Sequence, residues 1–115
     1  MVKNITAFGR SGLSDWFVQR VTSLIVASYV FFILGYLALN QPVTFIDWYD
    51  FYAGLGIRIY TLLVIFSLLI HAWIGIWTIL TDYVKSTVVR ILLEVAIILI
   101  LAAYLLWGFF LLFGL

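Results

Sequence analysis

The sequence predicts an all-α membrane protein with three transmembrane helices and one short interfacial helix, and two observations carry that reading. Of its 115 residues, 67% are hydrophobic and only 10% charged, with a mean hydropathy of +1.26, far from the balance of a soluble domain. The apolar residues also gather into three stretches, 21–39, 59–80 and 95–115, each of about the 20 residues that cross a roughly 30 Å hydrocarbon core. Between them lie polar pieces too small to fold alone, so the chain reads as one membrane domain: 1–20 lead and helix start, 40–58 loop, 81–94 turn and helix start. No basic patch suggests nucleic acid, so the bilayer is the expected surroundings. With no cysteines, the chain cannot build a disulfide framework, an iron–sulfur cluster or a thiolate metal site by itself.

Residues 1–20 carry Lys3, Arg10 and Arg20 against Asp15, with Gly9 and Gly12 in an irregular lead-in. Ser14 is a suitable N-cap, and a helix from Asp15 to Leu39 would be about 37 Å long, lifting Trp16 and Arg20 to the interface. A cleaved signal peptide is the competing reading. The long polar lead and the lack of a small-x-small site before Asn40 favour a retained span.

Asn40, Gln41 and Pro42 stop that helix, and Thr44 followed by Asp47 gives a capping pattern for a short one. Phe45, Trp48, Tyr49, Phe51 and Tyr52 alternate there with Asp47 and Asp50. Rings with polar handles settle at the headgroup level, so the segment is expected along the interface, with solute binding by the rings as the alternative. Gly54 and Gly56 turn the chain into the second span.

The second span holds the single histidine, His71, near the expected midplane. At 100° per residue, Val64, Ser67, Gly75, Thr78 and Asp82 fall within about 40° of it. Phe66, Leu69, Ile70, Trp73, Trp77 and Leu80 point the other way, toward lipid or a partner. Small neighbours leave a hollow beside the imidazole suited to a flat, rigid ligand such as haem. Equally, the histidine can hydrogen-bond to another helix, with Gly75 serving only for close packing. Thr81 to Ser86 read as a polar turn, Arg90 and Glu94 precede the third span, and belt or packing roles account for Tyr104, Trp107 and Gly108.

Lys3, Arg10, Arg20, Lys85 and Arg90 fall on one side of this topology and Arg58 alone on the other. The positive-inside rule therefore predicts a cytoplasmic N-terminus and Asp82 turn, with a periplasmic aromatic loop and C-terminus in a bacterial inner membrane.

Asp15-Trp16-Phe17, Arg20-Val21-Thr22-Ser23-Leu24, His71-Ala72-Trp73-Ile74-Gly75 and Asp82-Tyr83-Val84-Lys85, in this three-span frame, resemble the hydrophobic membrane anchor subunit of bacterial succinate dehydrogenase. The likeness is narrowest to the smaller of the two anchors in the enterobacterial type of complex II. It implies one subunit of a four-protein succinate:ubiquinone oxidoreductase of the tricarboxylic acid cycle and respiratory chain, not catalytic alone. The implied partners are a flavoprotein subunit, an iron–sulfur subunit and a second three-helix anchor of the cytochrome b556 type, paired with this chain around haem b. His71 matches the axial ligand of the haem iron, Arg20 the residue near the haem propionates, and Tyr83 the donor to a ubiquinone carbonyl. Asp82 either orients Tyr83 or relays protons, or else is a solvated turn residue paired to Arg20 or Lys85. Two positions depart from the pattern: Ser14 stands where a histidine is common, and Ser86 follows Lys85 where a proline is usual.

The residue chemistry agrees with these roles. A haem with two histidine ligands needs a second imidazole, which one histidine per chain makes a partner's task. A phenol suits a quinone carbonyl whose negative charge grows on reduction, with an interfacial belt role as the alternative for Tyr83 and plain topology anchoring as that for Arg20. The rival readings are a small proton-coupled transporter, in which His71 titrates, and a purely structural anchor. Against the transporter, there is neither a second midplane ionisable residue nor an inverted repeat.

Overall fold

The structure, a computed structural model, describes residues 12–114. These form four helices: α1 (Gly12–Leu39), α2 (Phe45–Ala53), α3 (Leu55–Tyr83) and α4 (Thr87–Phe113). Helices α1, α3 and α4 are each long and apolar enough to cross a membrane, as the hydropathy pattern requires.

Helix α3 is the middle element, with α1 and α4 packed on it. Thr22 meets His71 while Tyr29 meets Thr61, so numbers rise along α1 as they fall along α3 and the two run antiparallel. Residues 84–86 leave no room for anything but an antiparallel return into α4, and Arg58 stacks over Phe113 near its far end. At the centre, Trp73 and Ile74 gather Val18 from α1 and Ile97 and Leu101 from α4. Gly108 brings α4 close to α3: a Cβ there would lie 2.9 Å from Ile65 Cδ1. Of its two expected roles, packing is the one found.

Some helix ends differ from expectation. Ser14 lies inside α1 rather than at its cap, because the helix already includes Gly12. Thr81, Asp82 and Tyr83 form the last turn of α3 instead of a loop, and the helix closes with Val84 N–H donating to Leu80 O at 3.0 Å. Continuing the helix pairs backbone groups that apolar surroundings would leave unsatisfied, and polar side chains do not prevent it. Lys3 and Arg10 lie outside the described residues.

Thr44 caps α2 with both arms of a capping box. Asp47 N–H donates to Thr44 Oγ1 at 3.2 Å, and Thr44 N–H donates to Asp47 Oδ2 at 3.1 Å. Thr44→Ala is expected to cost about 1 kcal/mol and Thr44→Ser much less, read as thermal unfolding in detergent. Several α2 rings turn inward: Phe51 stacks on Tyr36 at 4.1 Å, and the Tyr52 and Tyr29 hydroxyls meet at 2.7 Å. Burial, reinforced by that hydrogen bond and by the Tyr29 charge, pushes the Tyr52 phenol above its ordinary pKa. Arg58 Nε donates to Tyr52 O at 3.0 Å, tying α2 to α3.

The face of α3 opposite His71 is not left wholly to lipid or a partner. Trp73 and Leu80 are buried within the chain, Trp73 in the cluster shared with α4. Phe66 and Ile70 stay exposed beside an apolar groove of about 240 Å³ that Ile98 and Leu101 also line.

Candidate functional site

On α1, Gln19, Thr22 and Ser23 stand three and four residues apart, which places them along one side of the helix. Thr22 is 5% exposed and, with Ser67, one of two buried polar residues among those described. Its hydroxyl lies 3.2 Å from His71 Nδ1, and that of Ser23 lies 3.4 Å away. The polar stripe of α3 therefore faces α1.

The hydroxyl protons bear on which tautomer of a neutral ring the site suits. The Thr22 hydroxyl donates to Val18 O at 2.8 Å, with Gln19 O at 3.2 Å, and the Ser23 hydroxyl donates to Gln19 O at 2.6 Å. With each hydroxyl's one proton directed at a carbonyl, its oxygen is left as an acceptor for His71. That arrangement suits the tautomer with the hydrogen on Nδ1 and the lone pair on Nε2.

His71 lines a cleft of about 380 Å³ between the start of α1 and the C-terminal half of α3. Ile74 and Thr78 continue its wall on α3; Asp15, Gln19, Arg20 and Ser23 form much of the α1 side. Gln19 Oε1 is buried and has no hydrogen-bond partner among the described residues. Arg20 is exposed, its guanidinium 5.6 Å over the Trp16 ring. The site thus offers one imidazole nitrogen as a Lewis base, a buried acceptor and a cation at the edge. Close helix packing does not require glycine at position 75, since a Cβ there would meet only Gln19 Nε2, at an ordinary 3.9 Å.

Of the residues expected to act, the fold brings His71 and Arg20 to this one cleft. Asp82 and Tyr83 do not line it; Tyr83 lies about 18 Å further along α3 at 1.5 Å per residue. Tyr83 is 78% exposed. The pairing of Asp82 with Lys85 takes another form: Lys85 Nζ donates to the Asp82 backbone carbonyl at 3.4 Å, and the carboxylate makes no ion pair among the described residues. No group of three or more His, Cys, Asp or Glu side chains suited to a free metal ion occurs among them either.

Gln19 escaped the sequence reading, and Thr22 and Ser23 entered it only as part of a motif. The available signal was three polar side chains at helical spacing at the start of an otherwise apolar span.

No protein-family model matches the chain. It is 44% identical over 99 residues to the succinate dehydrogenase hydrophobic membrane anchor subunit of Coxiella burnetii (strain RSA 493 / Nine Mile phase I), an alignment covering 86% of each protein.

Proposed function

This chain belongs to the family of succinate dehydrogenase hydrophobic membrane anchor subunits, and we propose that it joins haem b and ubiquinone to that complex. In this reading it docks the flavoprotein and iron–sulfur subunits to the bacterial inner membrane. With a second anchor of the cytochrome b556 type it would hold haem b between them, His71 Nε2 serving as a ligand to the iron and Arg20 as the partner of the propionates. Tyr83 donates to ubiquinone at the cytoplasmic end, with Asp82 beside it.

The observation that carries this proposal is the pair of hydroxyl oxygens beside His71 Nδ1. An imidazole whose Nδ1–H is held by acceptors presents Nε2 in the form an iron ligand needs. One nitrogen is too little for a free ion but would serve haem, which brings nitrogen ligands of its own, with a further ligand left to a partner. When bound, haem b would supply a one-electron carrier. Arg20 at the cleft edge suits carboxylates, as a fork of donors held near the interface.

Orientation follows from charge and packing together. Antiparallel packing sets the start of α1 beside the end of α3, so Arg20, Lys85 and Arg90 gather at one end and Arg58 at the other. The positive-inside rule assigns the first end, and the N-terminus, to the cytoplasm and the C-terminus to the periplasm.

The hydrogen bond from His71 to Thr22 also suits a histidine that only straps two helices together. The two readings part at Nε2, which a strap leaves idle. The deciding experiment is a dithionite-reduced minus oxidised visible spectrum of the purified complex, wild type beside His71→Ala. A b-type signal lost in an assembled variant supports ligation. Its absence from the wild type removes haem from the proposal and leaves the structural anchor, while transport by the isolated chain in vesicles would favour the transporter.

A further inference from the structure

Thr22 sits where His71 needs an acceptor, and its surroundings make it a rigid one. Its hydroxyl is back-bonded to Val18 O at 2.8 Å, which holds the side chain in one rotamer and aims an oxygen lone pair at Nδ1. At 5% exposure it leaves little access for water to replace that oxygen. The proton already given to the carbonyl also polarises the hydroxyl and strengthens it as an acceptor. Ser23 repeats the arrangement at the longer distance of 3.4 Å, its own proton on Gln19 O.

We propose that Thr22, with Ser23 as a weaker second acceptor, is the positioning residue of His71: it fixes which nitrogen carries the hydrogen and sets how strongly Nε2 donates. This rests on the reading of His71 as a haem ligand. Thr22 does not line the cleft and acts through the imidazole; Ser23 lines it and reaches the same nitrogen. Electron density pushed toward Nε2 by the Nδ1–H bond favours the oxidised iron, so removing the acceptor raises the midpoint potential. Loss of the acceptor also frees the ring to turn about its bond to the chain.

The test is a redox titration of the haem signal in the assembled complex, with its low-temperature electron paramagnetic resonance spectrum, for three variants. Thr22→Ser keeps the hydroxyl and is expected to match wild type. Thr22→Val keeps the shape without the hydroxyl and should raise the potential, Ser23 taking over in part. Thr22→Val with Ser23→Ala should shift the oxidised-to-reduced ratio at fixed potential about tenfold, 59 mV for a one-electron couple. If the double variant fails to assemble, the Ser and Val pair alone decides. A wild-type potential and spectrum in the variants lacking the hydroxyl would overturn the proposal, as would an equal shift in Thr22→Ser, which would mean packing. A wild-type complex without haem b would instead overturn the reading beneath it.

Discussion

In His71→Ala, the assembled complex is expected to lose its b-type difference spectrum, with haem occupancy down more than about tenfold. This protein offers no second imidazole, no thiolate and no nearby thioether to take over the ligand's task. The chain has one histidine and no cysteine, and its single methionine is Met1, far in sequence from the cleft. The loss should not be confused with unfolding. Thr22 and Ser23 keep their own bonds to backbone carbonyls when the imidazole is removed, so no donor is orphaned and the cross-helix hydrogen bond costs only about 1 kcal/mol. The central cluster around Trp73 and Ile74 does not include His71 and stays filled. Subunit content, measured on the same preparation, separates the outcomes. Assembled complex with an unchanged spectrum would show that His71 is a strap between helices and no ligand.

Tyr83→Phe is expected to lower ubiquinone reduction while leaving the haem spectrum unchanged. A donor to an oxygen on which charge grows contributes about 1.5–3 kcal/mol, so kcat/KM should fall roughly tenfold to hundredfold. The fall should appear in kcat as well as in KM, because the bond strengthens as charge develops. Stability is not at stake, since Tyr83 is 78% exposed and removing its hydroxyl leaves nothing buried unpaired. Its separation from His71, about 18 Å along α3, keeps the haem signal out of reach of the change. Normal ubiquinone kinetics in this variant would remove Tyr83 from the site. That exposure also suits a site which neighbouring subunits complete, because a quinone pocket needs walls that the end of one helix does not supply.

Hydropathy by itself determined the three spans, because in a bilayer a long apolar stretch has one way to satisfy its backbone, and α1, α3 and α4 follow. Local side-chain chemistry determined the capping of α2, where Thr44 and Asp47 reach each other's backbone without help from the rest of the fold. Helical spacing also separated the polar stripe of α3 from its bulky face. The likeness of the motifs to the anchor family was legible too, and the relative at 44% identity supports it.

Tertiary structure alone decided what each face meets. Spacing gave no reason for the polar stripe to lie against α1, or for Trp73 to be buried with Ile97 and Leu101 instead of facing lipid. In a soluble protein the boundary between apolar and polar marks the inside; here nearly every face is apolar, so hydropathy carries little information about which one packs. The same limit hid the partners of His71. Only when α1 and α3 lie antiparallel do Thr22 and Ser23 arrive at Nδ1, and only then do their hydroxyl protons bear on which nitrogen keeps the free lone pair.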